Sequence, residues 1–420
     1  MIGNGKVTFI MRHMISCEEA IREVLENPPE LTVVKEPILD SLNYILAEDI
    51  ISNDDIPAND NSAMDGFAVI LKDLTGADKT YPIALKKYDY DIPAGEYTKF
   101  VVKEGFCIKI MTGAPVPQGC DCIVKKEDVQ IKEDKVLFFK EYKYFENIRH
   151  KGEDIKKGEA VFGKGHRIDP AAMGVFASLG IKDVPIYKPP LVGIISTGNE
   201  LIGINDKLLF GMVRDSNSYS LAAQVKESGA KYIRYGIVKD NKRDLKVAVK
   251  KAITECDLIL ISGGVSVGDY DYIKEILNES GAQEIFWGVK QKPGKPLAFY
   301  KSDRKPIFGL PGNPVSVMVC FELYVRPLIR KMMGGKDLFR KTISAKALHS
   351  FKHEPGRTEF VRVKIKKDKD NNYFAEITGE QGSGILTSMA QADGIAEIGE
   401  NKKEITEGEN LKVYMIKYDL

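Results

Sequence analysis

The chain has 420 residues, 43% of them hydrophobic and 29% charged, which leaves room for about three folded domains with real cores. Lysine and arginine total 61 against 60 aspartates and glutamates, a net charge of +1, so no global field draws the chain to nucleic acid or to a membrane. Any anion site must therefore be local.

No apolar run reaches about 18 residues and no apolar leader segment stands at the N-terminus, so neither a membrane span nor secretion is expected and the cytoplasm is the expected compartment. Met14 is a second candidate start, because recognisable structure begins just after it. None of the six cysteines forms CxxC, and the five histidines contain no HxxxH. A zinc or iron–sulfur site is not expected, and reduced, buried thiols are. Cys120 and Cys122 fall in a β-rich segment, where alternate residues share a face.

Ser16-Cys17-Glu18-Glu19 is a capping box, with Ile21, Val24 and Leu25 as one face of the helix it opens and Pro28-Pro29 as its end. A second short helical pattern covers 39–47. A Pro/Asp/Asn-rich passage, 53–61, is the entrance to a new domain. From Ser62 the pattern changes to short strands with frequent turns: Phe67, Val69 and Leu71 alternate, 106–111 and 122–126 read as strands, and 130–131 and 136–139 flank a hairpin. In this β-domain, 55–145, Asp65 stands between small residues in SAMDG and Thr112 sits on the stiff MTGAP loop. Each alone is an ordinary turn. The charged run from Arg149 to Asp154 reads by itself as a solvated loop. Asp169-Pro170 then supplies an N-cap and an N1 proline for a helix over 170–179, closed by Gly180. The return to helix implies packing against the N-terminal helices, so that 14–54 and 146–187 form a discontinuous linking domain into which 55–145 is inserted.

Residues 188–335 repeat a βα pattern. Strands over 191–196, 232–238, 257–262 and 307–310 each lead into a polar or glycine-rich loop, and Asp215-Ser216-Asn217 caps an intervening helix. Open α/β sheets place ligands at such carboxyl ends, where Glu200, Asp240 and Asp271 converge. The stretch DLILISGGVSVGDYDY runs from a buried strand through Gly263-Gly264, Ser266 and Gly268 into a helix. Its free backbone N–H groups suit phosphate, and carboxylates beside them make sense with a cation such as Mg²⁺ between. The same residues also read as a tight turn with Asp269 as N-cap. Lys292 and Lys295, set among prolines and a glycine in QKPGKP, form a rigid cationic loop suited to an oxyanion. Beyond 335 the pattern is β again, with Val361, Val363 and Ile365 alternating with Arg362, Lys364 and Lys366. The final β-domain is 336–420.

SAMDGFAV, IMTGAPVP, GEDI, STGNEL, SGGVSVGDYD, KPGKP and GLPGNPVS, in this order, resemble the molybdopterin molybdenumtransferases, the MoeA family, with the E domain of gephyrin among its relatives. PGRTEF and QGSGIL extend the likeness to the C-terminal region, while Asn199 stands where many members have Asp and His150-Lys151 replaces an arginine-rich run. The resemblance implies a multidomain α/β plus β fold: a central three-layer α/β domain of the molybdopterin-binding, MogA-like kind, an inserted small β-domain, a discontinuous N-terminal linking domain and a C-terminal β-barrel-like domain. It implies a homodimer that converts adenylylated molybdopterin and molybdate to molybdenum cofactor and AMP with Mg²⁺. Glu200, Asp240 and Asp271 are then the metal ligands, and Gly263, Gly264, Ser266, Pro311 and Pro314 bind the pterin substrate. Lys292, Lys295, Ser316, Arg357 and Ser383 hold molybdate, and Asp65, Thr112, Arg149 and Asp154 complete the cleft from the partner subunit. Molybdopterin adenylyltransferase and apo-molybdoenzymes are the expected partners. The rival readings are an adenylyltransferase, which lacks the flanking domains, and a non-catalytic gephyrin-like scaffold, which needs neither the acidic cluster nor the cationic loop.

Overall fold

The computed structural model describes residues 12–26, 28–29, 31–96, 99–264, 270–303 and 305–417, and for residues 12, 270 and 271 the backbone alone. The chain forms two compact units, one from residues up to 35, 43–47 and 185–420, the other from 36–42 and 48–184.

The first unit is built on a seven-stranded sheet. Its strands are β1 (Arg12–Ile15), β2 (Leu191–Thr197), β3 (Lys231–Val238), β4 (Leu258–Ser262), β5 (Gln283–Val289), β6 (Ala298–Ser302) and β7 (Lys305–Leu310), in the order β1-β5-β6-β7-β4-β2-β3. Only β6 runs antiparallel to the others. The central strands are continuous apolar runs because both faces are covered. On one face Val192, Ile194, Leu258, Leu260 and Phe308 pack with α1 (Cys17–Glu26), α2 (Asn217–Glu227) and the helix that starts at Pro314. On the other, Ile195, Ile259, Ile261 and Ile307 meet Leu245 and Val249 of α3 (Lys242–Glu255) and Ile273 and Leu277 of α4 (Tyr270–Glu279). Each of these fully buried aliphatic side chains contributes about 1.5–3 kcal/mol. The sandwich is the expected three-layer α/β domain.

The caps follow the sequence. Glu19 N–H donates to Ser16 Oγ at 3.1 Å and Ser16 N–H to Glu19 Oε2 at 3.0 Å, the reciprocal bonds of a capping box. Asp215 opens α2 by accepting from Ser218 N–H at 3.0 Å. The helical pattern over 39–47 is a correction. Only Ile38–Asp40 forms a turn of 3-10 helix, Asn43 takes φ 69°, and Leu46 forms an antiparallel bridge with Ile186. Tyr187 N–H donates to Ile45 O and Ala47 N–H to Pro185 O, so strand-like partners claim the backbone groups a helix would need.

After β7, α5 (Pro314–Cys320) continues through a π-helical turn, Phe321–Val325, into α6 (Arg326–Met332). A five-stranded closed barrel follows: β8 (Thr342–Ala347), β9 (Thr358–Lys367), β10 (Tyr373–Ile377), β11 (Gly394–Ile398) and β12 (Asn410–Met415), in the order β9-β10-β8-β12-β11 with β11 closing on β9. In β9 the expected alternation fails at one residue. Arg362 is 1% exposed although it points away from Val361 and Val363, because the 380–388 segment covers it and takes its guanidinium: Nη2 to Gly382 O at 3.1 Å, Nε to Ser388 Oγ at 3.1 Å. Burial pushes its pKa down to about 10 against the raising effect of Glu359.

In the second unit a six-stranded sheet runs, in order, Cys122–Lys125, Gly66–Val69, Phe106–Ile110, Ile83–Ile92, Lys135–Phe138 and Val129–Lys132. The expected hairpin is its last pair. The expected alternation of Phe67, Val69 and Leu71 holds, all three facing one core. All of Gly66–Val69 is buried, since Phe67 and Val69 enter one core and Ala68 the other, and Leu71 begins a 3-10 turn. Cys120 and Cys122 likewise pack in different cores, because Cys120 precedes the strand. Asp169 Oδ1 accepts from Ala172 N–H at 2.8 Å and caps the helix Pro170–Ser178 as its sequence predicts.

One buried ionic cluster ties the barrel's lead-in to the α/β layers. Arg340, its side chain 3% exposed, donates from Nε to Glu322 Oε2 at 2.8 Å and from Nη1 and Nη2 to Glu227 at 2.9 and 2.7 Å. Arg340→Met leaves Glu322 buried without this cation, so the full chain should lose about 3–5 kcal/mol of stability, read as a lowered unfolding midpoint. Adding Glu322→Leu should recover most of the loss, because removing both charges also removes the desolvation cost.

Candidate functional site

The first site starts from two residues. Gln291–Lys292 add a short parallel strand to β9, Gln291 opposite Thr358 and Lys292 opposite Glu359. That register brings Arg357, just before β9, beside the KPGKP loop. From the other side Asn313, the N-cap residue of α5, donates through Nδ2 to Ser383 Oγ at 3.0 Å, and Val315 N–H donates to Ser383 O at 3.1 Å. Between them opens a cavity of about 250 Å³ whose walls include Lys292, Lys295, Ser316, Arg357, Ser383 and Gln381. Five residues named from the sequence as one binding set thus surround one space. Lys292 Nζ lies 3.0 Å from Glu359 Oε1. Among the described residues Lys295 and Arg357 make no ion pair.

The second site lies on the same sheet edge. Thr197 ends β2, Val238 ends the neighbouring β3 in register with it, and Glu200 and Asp240 follow on adjacent loops. Asn199 Oδ1 accepts from Asp240 N–H at 3.3 Å and joins those loops. Gly263 and Gly264 follow β4 at φ 90° and 63°, and a Cβ at Gly263 would stand 2.1 Å from Thr197 O, so only glycine allows this approach. Thr197 Oγ1 and Asn217 Oδ1 are buried here with no hydrogen-bond partner among the described residues. Asn217 Nδ2 donates to Ser262 Oγ and to Gly312 O, at 2.9 and 2.7 Å, linking β4 to the Pro311–Pro314 loop. Ser266 and the Asp269 cap lie outside the described residues, as does the Asp271 side chain, whose backbone is in the first turn of α4. The carboxylate oxygens of Glu200 and Asp240 suit a hard cation, and the Thr197 hydroxyl can serve either a cation or a phosphate held beside it. Among the described residues no three His, Cys, Asp or Glu side chains cluster as a metal site. The loop after β7, which lines the cavity with Asn313 and Ser316, lies three strand spacings, roughly 14 Å, from the loop after β3.

In the second unit Asp65 Oδ1 accepts from Thr112 N–H at 2.9 Å and from Thr112 Oγ1 at 2.8 Å, and Lys126 Nζ lies 3.6 Å from Oδ2. The Thr112 amide, then its hydroxyl and Lys126, hold the carboxyl of Asp65 below the usual carboxylate range. Two motifs that each read alone as a turn therefore form one exposed unit. Arg149 sits alongside, on a strand paired with Asn61 and Ser62, and Asp154 lies farther on, its N–H bonded to Ile56 O.

Three family models match the chain: MoeA N-terminal region (domain I and II) over 15–180, probable molybdopterin binding domain over 193–331, and MoeA C-terminal region (domain IV) over 344–416. The molybdopterin molybdenumtransferase of Staphylococcus epidermidis is 36% identical over 382 residues, 91% of each chain. That of Haemophilus influenzae is 34% identical over 403 residues, 95% of this chain and 98% of its own. The chain belongs to the MoeA family. A solved MoeA structure from Pyrococcus horikoshii, 31% identical, matches with a TM-score of 0.82 over 97% of this chain and 100% of that one. The protein is accordingly a transferase of molybdenum-cofactor biosynthesis.

Sequence reasoning passed over several residues of this MoeA site. Asn313 and Gln381 lay inside quoted motifs, but nothing marked them above their neighbours. Glu359 likewise stands inside PGRTEF, and its pairing with Lys292 follows only from the strand register. Gln291 preceded the lysines without a distinguishing signal.

The six cysteines are free thiols, and burial holds all of them above the ordinary thiol range, Cys17 at about 11 and Cys107 and Cys122 at about 12. Because the thiolate is the reactive form, native protein at pH 8 should react with iodoacetamide on the order of a hundredfold more slowly than a free cysteine. Fast labelling of any cysteine without unfolding, seen by peptide mass, would contradict this.

Proposed function

We propose that the protein inserts molybdenum into molybdopterin: adenylylated molybdopterin and molybdate bind, the phosphoanhydride is hydrolysed with Mg²⁺, and AMP leaves as the dithiolene takes the metal. The cavity carries this reading. Lys292, Lys295 and Arg357 with the hydroxyls of Ser316 and Ser383 surround about 250 Å³ in a chain whose net charge is only +1. A doubly charged tetrahedral oxyanion fits such a set, because charged N–H donors and hydroxyls bind it through charge-assisted hydrogen bonds. With Lys292 shared by Glu359, Lys295 and Arg357 balance a dianion.

The pterin substrate lies along the sheet edge, its pyrophosphate at Gly263, Gly264 and Ser266 and its approach shaped by Pro311 and Pro314. Glu200, Asp240 and Asp271 would hold Mg²⁺, which supplies charge neutralisation to the phosphoanhydride. The chain's own part is to place the dithiolene against the oxyanion and to hold the phosphates by backbone N–H groups fixed in advance. A homodimer belongs to this reading, with the partner's Asp65, Thr112, Arg149 and Asp154 serving the same cleft. So do a cytoplasmic location, an adenylyltransferase upstream and apo-molybdoenzymes downstream. Among the described residues no helix is long and apolar enough to cross a membrane.

The deciding experiment supplies adenylylated molybdopterin, Mg²⁺ and either molybdate or tungstate, and scores AMP release and metal incorporation separately. Lys295→Ala should raise the half-saturating molybdate concentration about ten- to a hundredfold and leave binding of the adenylylated pterin nearly unchanged. Asp240→Asn should instead depress Mg²⁺-dependent AMP release, with no rescue by added molybdate. If the two variants exchange phenotypes, the division of roles is wrong.

A further inference from the structure

A polar side chain that the proposed chemistry leaves unused lies under the cationic loop. Gln291 is fully buried at the wall of the cavity. Its Nε2 donates to Pro293 O at 3.0 Å and to Gly294 O at 3.3 Å, and lies 3.3 Å from Cys320 Sγ. Two successive carbonyls between Lys292 and Lys295 are thus held by one amide. Both can only accept, so the NH₂ end must face them, and Oε1 accepts from the hydroxyl of Tyr324, itself fully buried in the π-helical turn. The loop sits directly on this amide: at Gly294, φ 98°, a Cβ would come within 2.5 Å of both Gln291 Nε2 and Cys320 Sγ.

The geometry points to Gln291 as a positioning residue for the oxyanion cavity, fixing the backbone from which Lys292 and Lys295 project. This rests on the reading of the cavity as the oxyanion site. Two lysine side chains carry much conformational freedom, and a loop fixed beforehand lowers the entropy lost when they close on a small anion. Tyr324 acts one step behind, holding the amide in the orientation that donates upward. Lys292 is constrained a second time, by Glu359. Among the described residues Lys295 has no ion pair and is placed by the loop, so it is the residue most dependent on Gln291.

The test compares the full-length wild type with Gln291→Met, which keeps volume but cannot donate, with Tyr324→Phe and with Lys295→Ala. Two quantities are read: calorimetric affinity for molybdate without pterin, and half-saturation against kcat in metal insertion. Gln291→Met should weaken molybdate binding and raise half-saturation about three- to tenfold, the value of one or two neutral hydrogen bonds, while kcat at saturating molybdate stays within about threefold. Tyr324→Phe should move the same two quantities in the same direction by less. If Gln291→Met folds and its molybdate affinity is unchanged, or kcat falls without a change in half-saturation, Gln291 is a core residue and the inference fails. If Gln291→Met does not fold, Tyr324→Phe decides by the same criteria. If Lys295→Ala leaves molybdate affinity unchanged, the oxyanion reading itself is at fault and this inference falls with it.

Discussion

Gln291 and Lys292 pair in parallel with Thr358 and Glu359, and the rest of the cationic cavity depends on that two-residue ladder. Side chains alternate along a strand, so a slip of one residue would turn Lys292 away from Glu359 and bury a charge where Gln291 now lies. The ladder also sets the distance from Arg357 to the lysine loop, and the bonds from Asn313 and Val315 to Ser383 fix the opposite wall. No single segment contains the site. It exists because a loop of the sheet, the start of a helix and the rim of a barrel are held in one register.

Charge is placed by the same means. Almost equal numbers of acids and bases leave the molecule without a useful long-range field, and interactions beyond about 8–10 Å are screened at ordinary salt. The protein instead separates charge along one sheet edge, with cations beyond β5 and beside β9 and carboxylates beyond β2 and β3. Parallel topology makes this possible, since it gathers the carboxyl-terminal loops of successive strands on one side whatever their separation in sequence.

How much of this could be read from residues alone follows from how local each signal is. The βα repeat was legible because doubly covered strands are unbroken apolar runs, and helix ends were legible because Ser16, Asp169 and Asp215 bond within three residues of themselves. The strand Ile83–Ile92 was missed as a long element, since its lysines, aspartates and tyrosines hide a half-exposed strand in the middle of its sheet. The segment 39–47 misled in the other direction: its apolar spacing suits a helix, but partners more than a hundred residues away claim its backbone. Arg362 shows the limit most sharply. Alternation correctly places it on the far face of β9, and only the covering 380–388 segment makes that face interior. Lysines, prolines and glycine gave away the loop, but the glutamine beneath it is ordinary in type and meaningful only by position.

β9 belongs to two structures at once. At Glu359 it pairs with Ile398 to close the barrel and, on its other edge, with Lys292 of the sheet's loop. The barrel is therefore not an exchangeable module appended to a finished catalytic domain. A chain ending near residue 340 would retain every strand of the large sheet and lose Arg357, Ser383 and the partner of Lys292 together. A chimera carrying a barrel from another source would have to reproduce the staves, their closure and the phase of one edge relative to the loop. Recombination between distant relatives should accordingly respect this seam, with crossovers tolerated in the solvent-facing turns of the barrel and selected against at its junction with the sheet.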